Sequence, residues 1–165
     1  MKEMSEQQAL ARLCTLCSQA EHCTGEAIDK LQRWGIEGEA QDRILAYLLR
    51  ERYIDDSRYC RFFIHDKLCY NGWGRRKIEQ ALYAKKIGKD ISNPLFEELE
   101  TAQYLEVLRP LINQKWKTVK ARDDYERATK VIRFAMGRGF SYDQIRTCID
   151  ELSDEDHGEY SDPHF

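Results

Sequence analysis

Three helix breaks recur along the chain at nearly constant spacing: Trp34-Gly35-Ile36, Lys86-Ile87-Gly88 and Arg138-Gly139-Phe140. Aligning Ile36, Ile87 and Phe140 gives intervals of 51 and 53 residues. Five residues before each break residue lies an apolar side chain (Leu31, Leu82, Ala135), and nine before lies another (Ala27, Ile78, Val131). Self-similarity at a fixed period is the signature of tandem structural units. A unit of about 50 residues buries little apolar surface alone, so such units share faces with their neighbours. The spacing therefore predicts an all-α chain of three tandem three-helix repeats, stacked in an elongated, curved arrangement.

Helical periodicity supplies the helices themselves. Leu10, Leu13, Cys14, Cys17 and Ala20 form the first apolar stripe. Thr24 reads as the cap of a second helix that ends at Gly35, and residues 39–53 form a third. Asp55 or Asp56 caps a fourth helix, Asn71-Gly72-Trp73-Gly74 is a loop, and Arg75–Ile87 is a fifth helix broken by Gly88. Ser92 caps a short sixth helix with Pro94 in its first turn. The seventh spans 101–118, where Pro110 demands a kink or a restart. Residues 123–137 and 141–152 complete the set. The expected organisation is repeat 1 at 1–53, repeat 2 at 54–100, repeat 3 at 101–152 and an acidic, disordered tail at 153–165.

Charge is unevenly distributed. The net value of −3 comes from 26 Lys and Arg against 29 Asp and Glu, yet six of those acids and no Lys or Arg lie beyond residue 150. Residues 1–150 therefore carry a net +3, a mildly basic body followed by an acidic tail. No apolar run approaches the length of a membrane span, and the N-terminus lacks a secretory pattern. The expectation is a cytoplasmic monomer with no membrane partner. In that reducing setting most of the six cysteines, set among apolar residues of helices, act as small hydrophobes. Cys14, Cys17, His22 and Cys23 have ligand chemistry suited to zinc. However, the first two lie inside an unbroken helical pattern, so no metal and no cofactor is expected.

Catalytic motifs are missing: no phosphate-binding glycine loop, no His-Glu-x-x-His and no Gly-x-Ser-x-Gly. The pairs Asp55-Asp56 and Asp123-Asp124 stand at helix starts, where carboxylates satisfy free amides. The chain reads as a non-enzyme. Binding is better represented. Between Lys67 and Lys89 lie seven cations (Lys67, Arg75, Arg76, Lys77, Lys85, Lys86, Lys89) and one acid, Glu79, interleaved with Tyr70, Trp73 and Tyr83. A second cluster, Lys115, Lys117, Lys120 and Arg122, contains Trp116. Cations beside flat aromatics suit a polyanion such as DNA, and an acidic protein surface would satisfy the same charges.

The segment Tyr53-Ile54-Asp55-Asp56-Ser57-Arg58-Tyr59-Cys60 resembles the [Phe/Tyr]-Ile-Asp-Asp-x-Arg-[Phe/Tyr]-Ala signature of the RecX family, regulators of the RecA recombinase. Gly74-Arg75-Arg76-Lys77-Ile78-Glu79-Gln80-Ala81-Leu82 is similar to that family's next helix. The family's Lys-Gly-Ile at its end appears here as Lys85-Lys86-Ile87, with glycine one place later, and Cys60 stands for the usual alanine. Arg138 to Ile145 fits the third unit, and the resemblance runs over about residues 8–152.

It implies three three-helix repeats and a non-enzymatic modulator that binds the RecA–DNA filament and inhibits the recombinase in DNA recombination, DNA repair and the SOS response. DNA itself is a second candidate partner. The implied filament- or DNA-contacting residues are Arg58, Arg61, Lys67, Trp73, Arg75, Arg76, Lys77, Lys85, Lys86, Lys89, Lys115, Lys117, Lys120 and Arg122. Tyr53, Asp55, Asp56, Tyr59, Gly74, Ile78 and Leu82 are the structural signature, with the two aspartates fixing the junction of repeats one and two. The alternatives are a stand-alone helical DNA-binding module and a helical-repeat scaffold that binds only protein.

Overall fold

The computed structural model describes residues 4–159, and among them the chain is all-α, with nine helices and no strand. These are α1 (Glu6–Gln19), α2 (Thr24–Arg33), α3 (Gly38–Arg50), α4 (Asp56–Cys69), α5 (Arg75–Ala84), α6 (Lys89–Glu97), α7 (Thr101–Thr118), α8 (Asp124–Gly137) and α9 (Tyr142–Glu159). The chain divides into two compact units. One holds the residues through Phe63 together with Ala81–Leu95; the other holds Ile64–Gln80 and the residues from Phe96 onward. Helices α4 and α5 thus give their first and second parts to different units.

All nine positions of the sequence repeat are buried. Leu31, Leu82 and Ala135 are fully enclosed, as are Ala27, Ile78 and Val131, and Ile36, Ile87 and Phe140 follow. In the first unit Ala9, Leu13, Ala27, Leu31, Ile36, Ile44, Leu48 and Ile54 make one apolar cluster. In the second, α7 packs on both α8 and α9, burying Leu108, Ile112, Val131, Ala135 and Ile145.

The breaks share one geometry. In each, a residue in the left-handed region lets the next amide reach back five residues, closing the helix end. Ile36 donates to the Leu31 carbonyl at 2.8 Å, Ile87 to Leu82 at 3.0 Å and Phe140 to Ala135 at 3.3 Å. The left-handed residues are Gly35 (φ 76°), Lys86 (φ 63°) and Gly139 (φ 96°). The second break therefore turns at Lys86, not at Gly88, and the chain accepts the side-chain strain that glycine avoids elsewhere.

Several helix boundaries depart from the sequence reading. Thr24 is the first residue of α2, not its cap. Helix α6 begins at Lys89, so Ser92 lies inside it, fully buried, with Pro94 past its first turn. Helix α7 continues through Pro110 without a restart. Helix α9 runs on to Glu159, seven residues beyond the expected end. The remaining part of the acidic tail, 160–165, lies outside the described residues.

Candidate polyanion-binding surface

The two signature aspartates serve two different helices. Asp55 Oδ1 accepts from the Arg58 amide at 3.0 Å, satisfying the open first turn of α4. Asp56 Oδ1 accepts from the Thr24 amide at 2.8 Å, doing the same for α2. Arg58 donates Nε to Glu21 at 2.7 Å and reaches the carbonyls of Arg52 and Tyr53. Its guanidinium thus holds the turn after α3. Tyr59 is buried and stacks on Phe63, and Tyr53 stacks on Tyr47. Asp123 caps α8 by accepting from the Glu126 amide at 2.8 Å.

The repeats meet at glycine and carbonyl. A Cβ on Gly74 would stand 2.5 Å from the carbonyl carbon and oxygen of Gly139. Its amide instead donates to the Arg138 carbonyl at 2.8 Å, and that of Arg76 to the Gly139 carbonyl at 3.1 Å. At the corresponding place in the first unit, Gly25 lies against the Lys85 carbonyl, which also receives the Cys23 thiol at 3.7 Å. Burial pushes that thiol up to about 11, as it does Cys17. Among the described residues no group of three or more His, Cys, Asp or Glu side chains is placed to hold a metal ion.

The cations of the 67–89 stretch do not form one set. In the first unit Lys85 pairs with Glu26 at 3.3 Å and Lys86 with Asp29 at 3.5 Å, while Lys89 and Arg61 are exposed. In the second unit Lys67 and Lys77 both lie over the Trp73 ring, 5.3 and 4.6 Å from its centroid. The indole ring attracts both ammoniums, and Lys67 also pairs with Asp66 at 3.7 Å. Arg75 bridges to Glu79 and lies 4.8 Å over the Phe96 ring. Arg76 next to it is exposed.

The 115–122 cluster belongs to the second unit. Lys115 lies over Phe134 at 4.8 Å, and Arg122 pairs with Glu126 at 2.7 Å. Lys117 and Lys120 are exposed. Arg127 donates to the Trp116 carbonyl at 2.9 Å and covers that ring, which ties Trp116 down.

Sequence reasoning missed a cavity of about 540 Å³ in the second unit, lined by Arg75 and Arg76 together with Phe96, Tyr104, Met136 and Tyr142. No local signal could have found it, because its walls come from segments separated by up to some 70 residues.

The chain matches two family models, described as the second three-helix domain of RecX over residues 55–93 and the third over residues 102–149. It is 33% identical over 141 residues to the regulatory protein RecX of Vibrio campbellii, covering 86% of this chain and 88% of that one. It is 29% identical over 154 residues to the regulatory protein RecX of Chlorobium limicola, covering 92% and 94%. The crystal structure of RecX from Lactobacillus salivarius superposes with a TM-score of 0.83 at 20% identity, over 90% of this chain and 96% of that one. The repeat spacing, the two capping aspartates and these likenesses converge: the chain belongs to the RecX family of regulatory proteins.

Proposed function

We propose that this chain binds a RecA–DNA filament and inhibits the recombinase, acting in the cytoplasm without catalysis as a modulator of recombination and DNA repair. Family membership carries the reading. The second unit supplies chemistry that suits it. Trp73 gathers Lys67 and Lys77, and exposed Arg76, Lys117 and Lys120 add further charge. Such a set favours phosphate or acidic protein through ionic contacts that weaken with salt. Asp55, Asp56 and Arg58 spend their polar groups on the chain's own backbone, which makes them framework rather than contact residues.

Binding to bare DNA, to recombinase alone and to the recombinase–DNA filament, each at two salt concentrations, tests the proposal. The filament should be bound most tightly, with suppression of strand exchange. Equal or tighter salt-sensitive binding to bare DNA would support the stand-alone DNA-binding module instead. Binding indifferent to phosphate would support the protein scaffold.

A further inference from the structure

Cys69 departs from the other cysteines of the chain. Cys23, Cys60 and Cys148 are buried and Cys14 and Cys17 half-buried, whereas Cys69 is exposed. An exposed free thiol is an oxidation liability that soluble surfaces avoid. It stands beside a second metal-ligating group. Cys69 Sγ lies 3.7 Å from Nδ1 of His65, one turn earlier on the same face of α4. Both side chains are exposed, where each can hydrogen-bond to water, so their contact adds little to the fold. The separation suits shared ligation. Zinc–thiolate and zinc–imidazole bonds of ordinary length, set at the tetrahedral angle, put sulfur and nitrogen about 3.6 Å apart. Cys69 is also the last residue of α4, where the negative end of the helix dipole favours a cation. Tyr70 and Asn71 beyond it are exposed, which leaves the helix end open to approach. Asp66, next to His65, is held by Lys67 at 3.7 Å.

We infer that His65 and Cys69 form half of a zinc site that a second copy of this chain completes. No third His, Cys, Asp or Glu side chain among the described residues is placed to join them. Two protein ligands are fewer than structural or catalytic zinc sites use, and two copies supply two thiolates and two imidazoles, the closed structural set. A two-fold arrangement brings the same face of α4 from each chain to one ion, as a symmetric dimer requires. Each Cys69 thiol gives its proton to water as its sulfur bonds the ion. Each imidazole binds through Nδ1 and keeps its hydrogen on Nε2. The two thiolates cancel the charge of the ion, so the bridge brings no net charge between the chains. Magnesium, which takes oxygen ligands, gains nothing from this pair. Filament binding is a separate matter: neither recombinase nor DNA takes part in the bridge.

The full chain, reduced and metal-free, is titrated with cobalt(II), with zinc and with magnesium while absorption and sedimentation velocity are followed. Cobalt should give the intense visible bands of tetrahedral thiolate coordination, saturating at one ion for two chains, and zinc should bleach them. Zinc should convert monomer to dimer, a chelator should reverse the change, and magnesium should do neither. Cys69→Ser and His65→Gln should each lose the bands and the dimer at metal concentrations that saturate the wild type. Both positions are exposed, so both variants should melt with the wild type. The proposal is overturned if zinc leaves the chain monomeric, if each chain binds its own ion, or if the bands or the dimer survive in either variant. It is equally overturned if the metal-free chain, or the chain with magnesium, associates to the same extent.

Discussion

The Asp56 carboxylate, in the first turn of α4, accepts a hydrogen bond at 2.8 Å from the amide of Thr24, the first residue of α2. Two helices that begin 32 residues apart in sequence are thereby capped by neighbouring aspartates. Removing such a cap typically costs about 1 kcal/mol. Asp56→Ala should lower stability by about that amount in urea denaturation, with Asp56→Asn keeping most of it, since an amide oxygen still accepts. The folded Asp56→Ala protein should suppress the recombinase as well as wild type. A variant as stable as the parent would remove the capping role.

Lys86 holds a left-handed conformation at the position where the other two breaks use Gly35 and Gly139. For a residue with a Cβ this conformation costs on the order of 1 kcal/mol. Lys86→Gly should therefore stabilise the chain by up to about 1 kcal/mol, despite loss of its ion pair with Asp29, which is half exposed and weak. Gly139→Ala should do the opposite and by more, about 2 kcal/mol or above. A Cβ there would stand 2.5 Å from the Lys77 amide nitrogen in addition to the φ strain. Thermal melts of the two variants moving in the same direction would refute the shared break geometry.

Glu26 gives a pH dependence with a definite sign. Burial opposes its ionisation, but the Cys23 amide and the Lys85 ammonium outweigh it, so its pKa lies below the ordinary glutamate value of 4.5. A carboxylate depressed in the folded state adds stability above its unfolded pKa and loses it as pH falls through the folded one. Stability should therefore decline as pH drops below about 4.5. In Glu26→Gln the neutral-pH stability should be lower and the acid decline shallower. Parallel acid limbs for the two proteins would show that Glu26 does not contribute.

Arg75 and Arg76 are adjacent in sequence but differ in surroundings. Arg75 is engaged with Glu79 and covers Phe96, so Arg75→Ala should cost about 1 kcal/mol of stability through lost packing as well as lost charge. Arg76 is exposed, and Arg76→Ala should leave the melting temperature nearly unchanged. Its filament affinity should fall at low salt, with the difference from wild type shrinking as salt rises. Wild-type filament binding by a folded Arg76→Ala protein at low salt would move attention to Lys117 and Lys120.

What was legible in the sequence was local. Apolar spacing at every third or fourth residue places each helix, and the 51- and 53-residue intervals pick out positions that are all buried. These depend on the chain's immediate neighbours, so one dimension suffices. The second break was misplaced by two residues because a glycine at 88 looked like the turn, whereas backbone hydrogen bonding in the folded chain puts the turn at Lys86.

The site was legible only as a list of cations. Which of them are spent depends on partners far away in sequence: Lys85 on Glu26, 59 residues earlier, and Lys86 on Asp29, 57 residues earlier. The same holds for Asp56 finding Thr24, and for Tyr104 being enclosed with its hydroxyl unserved. Sequence by itself determined the helices, the repeat and the family, because periodicity and motif are properties of neighbouring residues. Tertiary structure alone decided which charges remain open and where a cavity forms, because electrostatic pairing and enclosure are set by distances in space, which folding fixes only when the helices pack.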